Sequence, residues 1–308
     1  EKRHPADFAL WKKAEADHVM QWNSPWGRGY PGWHLECSVM SMKYLGESLD
    51  IHGGGIENQF PHHECEIAQA ECTTGKPFVK YWIHHNMVTV DGQKMGKSLG
   101  NFITLKELFS GAHKRIEKAF DPLVVRQFVL TSHYRSPQDF SNDALVAAES
   151  GFQRLRAAVT AAREAARDAT EAKADGDVAA RLADVRTRFE AAMDDDFNTA
   201  SAMSLLFELV RDVNTWQTQK LPPRAWQAVA ELFGQLGGDV LGIVPEVYAQ
   251  DAGASKDVLD PVVQLCIGMR TDAKKAKDFE RADRIRDQLK AAGIQLEDGP
   301  DGTRWRRG

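Results

Sequence analysis

Phe60-Pro61-His62-His63-Glu64-Cys65-Glu66 is the stretch from which the fold can be read, because a helix start and a ligand pattern coincide in it. Proline is well suited to the first helical position, so Pro61 predicts a helix on which His62 and Glu66 stand at i and i+4. Downstream, Phe78-Val79-Lys80-Tyr81-Trp82-Ile83 and Met87-Val88-Thr89-Val90 read as short strands, the second ended by the turn signal Asp91-Gly92. Helical and strand-like segments alternate over the first 120 residues or so, which predicts an α/β layer.

After that the chain turns helical. Ser141 is a candidate N-cap for a helix carrying Leu145, Phe152, Leu155 and Val159 on one face. Past a polar loop near 168–177, three further stripes follow: Val178, Leu182, Val185, Phe189 and Met193; then Met203, Leu206, Phe207, Val210 and Val213; then Trp226, Val229, Leu232, Phe233 and Leu236. Single apolar stripes predict an antiparallel bundle. Residues 250–255 read as a linker. Asp260-Pro261 then reads as an N-cap and first helical residue, followed by a second short helix over 278–292. Gly299-Pro300-Asp301-Gly302 looks like the turn of a hairpin.

The 308 residues are 43% hydrophobic and 27% charged, the make-up of a soluble globular chain of two or three domains. No apolar run is long enough to span a bilayer, and the polar start carries no signal-peptide core. The first residue is Glu1 rather than Met, which leads us to expect missing sequence upstream. Cys37, Cys65, Cys72 and Cys266 form no Cys-x-x-Cys pair, which argues against a disulfide framework and suits a cytoplasmic location. The formal charge of −5 is unevenly spread: residues 261–308 hold 11 Lys+Arg against 8 Asp+Glu, so positive charge gathers at one end.

Two further motifs bear on chemistry. Pro31-Gly32-Trp33-His34-Leu35-Glu36-Cys37 would add a thiolate to His62 and Glu66, and such a mixed donor set suits tetrahedral zinc. On spacing alone, a solvated His/Glu contact and a buried filler cysteine are the commoner outcomes. Lys94-Met95-Gly96-Lys97-Ser98-Leu99-Gly100-Asn101 places two lysines three apart on a small-residue loop, suited to a triphosphate that is losing pyrophosphate; an exposed turn with ordinary surface lysines is the plainer alternative.

Taken together with His52-Gly53-Gly54-Gly55, and in this order, these motifs resemble the cysteinyl-tRNA synthetase family. Its patterns are Gly-Trp-His-(Ile/Leu)-Glu-Cys, His-Gly-Gly-Gly, Phe-Pro-His-His-Glu-x-Glu and Lys-Met-Ser-Lys-Ser. Tyr134 to Ser141, Asp194 to Thr199, Arg281 to Asp287 and Thr303 to Arg307 are similar to later parts of that family, so the resemblance covers essentially the whole chain. It implies the second half of a class I Rossmann-type catalytic domain over 1–120, a tRNA-binding helix bundle over 121–250, and a small mixed α/β anticodon-binding domain over 251–308.

The resemblance also implies roles. Cys37, His62 and Glu66 would be zinc ligands, and Trp33 would line the pocket for the substrate cysteine. His52, Gly53, Gly54, Gly55 and Glu57 would adjoin the nucleotide, the glycines by letting it approach the backbone. Lys94 and Lys97 would contact the phosphates of ATP, taken with Mg2+ as substrate. Arg304, Trp305 and Arg306 would meet tRNA(Cys), although packing of Trp305 on the preceding helices is an equal alternative. Zinc would favour L-cysteine over serine by its affinity for thiolate. A monomer is expected.

Three positions depart from the family pattern: Gly96 for serine, Cys65 for asparagine, which leaves a spare thiol near the metal, and Glu57 for aspartate. The family's His-Ile-Gly-His motif and a fourth, cysteine ligand do not occur here, so the 308 residues alone are expected not to aminoacylate. Two rival readings are a cysteine ligase acting on an amino sugar and a non-catalytic tRNA-binding fragment. Residues 254–308 weigh against the first, and the joint presence of Cys37, His62, Glu66, Lys94 and Lys97 against the second.

Overall fold

The structure is a computed structural model that describes residues 2–219, 221–248, 259–299 and 302–307. They form two compact units, 1–243 and 244–308.

In the first unit a short antiparallel pair, β1 (Trp11–Lys13) and β2 (Gly29–Pro31), leads into α1 (Trp33–Leu45). Then β3 (Leu49–Gly55), α2 (Glu64–Thr74) and β4 (Val79–His85) make one strand–helix–strand crossover. The two strands are parallel, in register from Leu49 opposite Val79 to Gly55 opposite His85. Leu49, Ala70 and Phe78 are buried beneath this unit, with Met42, Ile67, Val79 and Trp82 packed around them. β3 carries glycines because its surroundings leave no room for side chains. A Cβ on Gly53 would lie 3.1 Å from the Ile83 carbonyl oxygen, and one on Gly54 would lie 2.9 Å from the His63 ring.

The helix expected from Pro61 is present, with a wide first turn. Residues Gln59–His63 form a wide five-residue turn in which Phe60 is extended, and α2 opens at Glu64. Phe60 is the one non-helical residue of that turn, so it flanks the helix as an N-cap residue does, and helical backbone begins at Pro61. It runs on into α2, which sets His62 and Glu66 at i and i+4.

β5 (Val88–Val90) turns back as β6 (Gln93–Lys94). Asp91 and Gly92 both have positive φ (53° and 74°), the turn that matches strand twist. β5 also pairs in parallel with β7 (Gln138–Phe140). Between them lie α3 (Leu105–Ser110), held by a Thr104/Glu107 capping box, and α4 (Pro122–Leu130), capped by Asp121.

The bundle comprises α5 (Asn142–Ala165), α6 (Gly176–Asp194), α7 (Thr199–Trp216) and α8 (Pro223–Phe233). Ser141 caps α5 as its sequence implies, accepting from the Ala144 amide. Phe152, Leu155, Phe189, Leu206, Leu209 and Phe233 are at most 2% exposed, so the predicted stripes meet in one core. Only four residues join α6 to α7, which makes them antiparallel neighbours. Arg181 of α6 ties them further, donating to Glu208 and Asp212 at 2.9 and 2.7 Å.

In the second unit, α9 (Leu259–Lys275) already includes Asp260, which is therefore inside the helix rather than its cap. Asp278 caps α10 (Phe279–Ala291) by accepting from the Arg281 amide. β8 (Ile294–Gly299) and β9 (Gly302–Arg307) form the expected hairpin. The predicted linker 250–255 and the turn residues Pro300 and Asp301 lie outside the described residues. No helix among the described residues is long and apolar enough to cross a membrane.

Candidate functional site

Three elements converge on one buried carboxylate. Glu66, in the first turn of α2, is fully buried, and His62 just before α2 is 5% exposed. The His62 Nε2 and Glu66 Oε1 atoms are 2.7 Å apart. On the other side, His52 Nε2 of β3 lies 2.8 Å from Glu66 Oε2. Cys37, half-buried on α1, brings its sulfur into the same space: one donor atom each from Cys37, His62 and Glu66 lie within 4.8 Å of one another.

This arrangement fits a metal ion. Glu66 Oε1 is buried and accepts no hydrogen bond, although His62 Nε2 is close by. The two atoms face one another at ion-pair distance rather than in hydrogen-bond alignment, in a space that Cys37 also enters, as converging metal ligands do. A thiol, an imidazole and a carboxylate are a zinc-type donor set. Burial, and then the Glu66 and Glu36 carboxylates, push the Cys37 thiol pKa up, so in the absence of a cation this sulfur keeps its proton.

His52, His63 and Glu66 make a second converging set that shares Glu66. We read it as an orienting layer, because its members already have partners. His52 holds Glu66 Oε2, and His63 Nδ1 lies 2.8 Å from His84 Nε2. A partner such as His52 fixes the direction of a ligating carboxylate. Burial drives His63 down to about 4, with Glu66 opposing the shift, so this ring is neutral near pH 7. His34 is lowered by burial and by His62, and its Nδ1 lies 2.6 Å from His62 Nδ1. The Trp33 ring stacks on His62 with centroids 3.8 Å apart and is itself 56% exposed, forming an open apolar wall beside the cluster.

The structure therefore joins Trp33, Cys37, His52, His62 and Glu66. Cys65 is buried and belongs to neither donor set, so the spare thiol is not a ligand here. The space above Gly54 and Gly55 is taken by the chain's own side chains: His63, and the Glu57 carboxylate, which would lie 2.5 Å from a Cβ on Gly55. Lys94 and Lys97 stand exposed at and beyond the end of β6, with Lys97 Nζ 5.6 Å from the Phe102 ring centroid. His34, His63, His84 and Asn101 were not singled out from the sequence. Only the fold reveals their partners, since those lie up to 28 residues away. A half-open, mainly apolar cavity of about 420 Å³ lies elsewhere, lined by Met87, Val129, His133 and Phe197 among others, and none of the donor residues lines it.

Residues 1–150 match the catalytic domain of tRNA synthetases class I (C), and residues 188–245 match the DALR domain. Proteins named cysteine–tRNA ligase are similar over nearly all of this chain. That of Chlorobaculum tepidum is 49% identical over 99% of this chain and 60% of its own length. Those of Porphyromonas gingivalis and Deinococcus radiodurans are 45% and 44% identical over 61% and 60% of theirs. The chain belongs to the cysteine–tRNA ligase family. It spans about 60% of the length of these relatives. In fold alone it is similar to LeuRS of Agrobacterium radiobacter K84, solved in a ternary complex with tRNA and LeuAMS: TM-score 0.54, 17% identity, 70% of this chain and 32% of that one.

Within a member of this family, the DALR match falls on the second half of α6, on α7 and on α8. Of the C-terminal residues expected to meet RNA, Trp305 packs with Leu289 and Leu296 against Val263, Ile267 and Ile294. The structure thus uses this tryptophan, at least in part, as the keel of the hairpin. The side chains of Arg304 and Arg306 lie outside the described residues, although both stand on β9.

Proposed function

We propose that this chain carries the amino-acid-selecting part and part of the phosphate-binding part of a ligase that activates L-cysteine with ATP and transfers it to tRNA(Cys). The observation that carries the reading is the convergence of one donor atom each from Cys37, His62 and the fully buried Glu66 within 4.8 Å of one another. Cys37, His62 and Glu66 would hold zinc, which supplies a soft centre that takes a thiolate in preference to a hydroxyl. Trp33 walls the space beside it and limits the side chain admitted. His52 holds Glu66 in place, and Glu57 accepts hydrogen bonds from the nucleotide sugar. Lys94 and Lys97 meet the triphosphate of ATP, which arrives with Mg2+, and offset charge as pyrophosphate departs. The bundle and C-terminal unit would hold tRNA. The division into catalytic, bundle and anticodon-binding parts over 1–120, 121–250 and 251–308 belongs to this proposal.

Three donors from this chain leave a four-coordinate ion open to one more ligand. Relatives are longer, and the full reaction is assigned to a chain of their length. Two measurements test the reading: zinc per chain after dialysis, and cysteine-dependent ATP–pyrophosphate exchange by the full-length protein. One zinc per chain, lost in Cys37→Ser, and exchange with cysteine at least a hundredfold above serine are expected. A folded chain that retains no zinc sinks the proposal.

A further inference from the structure

We propose that Asn101 is the positioning residue of the lysine loop, closing residues 94–101 into a preset shape that presents Lys94 and Lys97. This rests on the proposed role of those lysines as triphosphate contacts.

Asn101 is 3% exposed although it lies beside a loop of exposed residues. Its Nδ2 donates to the Lys94 carbonyl at 3.0 Å, and its Oδ1 accepts from the Gly96 amide at 2.9 Å. The two backbone partners leave the carboxamide only one orientation, since a carbonyl needs the amide nitrogen and an N–H needs the oxygen. The side chain thus gives this segment the donor and acceptor that a neighbouring strand would give. The rest of the ring is short-range: Met95 N donates to Val88 O, Leu99 N to Gly96 O and Gly100 N to Lys97 O. Gly100 turns the chain with φ of 64°. Both lysines ride on this ring with their side chains outside it.

The arrangement has a functional consequence. A lysine on an unrestrained loop must lose backbone freedom when it grips a phosphate, and that loss weakens binding. A ring already closed by Asn101 has lost it during folding. No other standard side chain of this length offers one donor and one acceptor in a single plane. Aspartate lacks the donor and sets a charge against the Lys94 carbonyl, while alanine removes the partner of both backbone groups.

The test is native-state trypsin digestion of the 308-residue chain, with cleavage after Lys94 and Lys97 followed by mass spectrometry. Asn101→Ala should speed cleavage roughly tenfold or more, as expected for the loss of two hydrogen bonds. Asn101→Asp should speed it less, because the acceptor for Gly96 remains. Gln127→Ala is the control: Gln127 is 1% exposed in α4 and donates to the Ala148 carbonyl at 2.9 Å, so its loss strains the bundle and should leave the loop rate unchanged. In the full-length ligase, exchange kcat should fall at least tenfold in Asn101→Ala, with the KM for cysteine within twofold. Wild-type cleavage rates in Asn101→Ala, equal acceleration in Gln127→Ala, or unchanged exchange kcat each overturn the proposal. If the wild-type protein shows no cysteine-dependent exchange, the ligase reading fails, and the digest still decides whether Asn101 closes the loop.

Discussion

Replacing His52 by phenylalanine isolates the orienting layer around the candidate metal centre. His52 reaches Glu66 Oε2 at 2.8 Å, and Glu66 has no solvent exposure with which to replace that partner. A hydrogen bond to a charged group contributes about 1.5–3 kcal/mol. Loss of a partner of a ligating group typically weakens metal binding about 10–100-fold, or roughly 1.4–2.7 kcal/mol. The two ranges overlap, so we expect zinc affinity to fall by about 10–100-fold. Phenylalanine is preferred to alanine because it keeps ring contact with Trp82 and His63, whose centroids lie 5.0 and 5.1 Å from that of His52. Zinc affinity is read by competition with a chromophoric chelator at fixed pH and ionic strength. His84→Phe serves as the comparison, since His84 touches His63 and not Glu66; it should stay within threefold of wild type. Equal affinity in His52→Phe and wild type would falsify the orienting role.

Three other perturbations probe different links. Gly96 has an ordinary extended backbone (φ −162°), and a Cβ there would meet nothing closer than 3.9 Å, so Gly96→Ser should fit without strain. By stiffening the unfolded chain it should stabilise the loop by about 0.4–1 kcal/mol and slow tryptic cleavage after Lys97; faster cleavage would show that the glycine is needed. Phe152 is 1% exposed in the bundle, and Phe152→Ala should cost about 3–5 kcal/mol, lowering the unfolding midpoint by roughly 10 °C. A shift under 2 °C in calorimetry would mean that the stripe of α5 is not core. Asp196 accepts from the Arg135 guanidinium and the Tyr134 hydroxyl, which hold its carboxyl below the usual range. Its stabilisation is present above the unfolded carboxyl value near pH 4 and fades as pH falls through the lower folded value. Asp196→Asn should therefore differ from wild type most at neutral pH and converge with it in acid. Asparagine tolerates the left-handed backbone at this position (φ 57°), so strain does not confuse the comparison. A gap that stays constant from pH 7 to 3 in denaturant titrations would refute the ion pair.

Local signals were read correctly wherever one short-range rule dominates. Asp91-Gly92 makes the hairpin turn, Ser141 and Asp278 cap their helices, and the apolar stripes of α5 to α8 are buried. Pro61 opens helical backbone as read, with extended Phe60 before it, and α2 continues from that wide first turn at Glu64. Asp260 misled, since it is already helical within α9 rather than its cap. The glycines of β3 were expected to admit a ligand. In the structure they first admit His63 and Glu57.

By itself the sequence determined where most helices, strands and turns fall, and it nominated candidates for chemistry: Cys37, His62 and Glu66 as an expected ligand set, Trp33 beside them, and Lys94 and Lys97 on a loop. Residue type and spacing suffice to nominate them, because donor chemistry is a property of the side chain and i,i+4 spacing is a property of any helix, but spacing alone favours a solvated contact, and the roles come from the resemblance. Only the tertiary structure decided which atoms face one another. It buried Glu66 with Oε1 facing His62, set His52 on its other oxygen, folded Asn101 under the lysine loop and packed Trp305 into the hairpin core. Those pairings join residues from different elements. Their free energies depend on burial and on distances that no local pattern encodes.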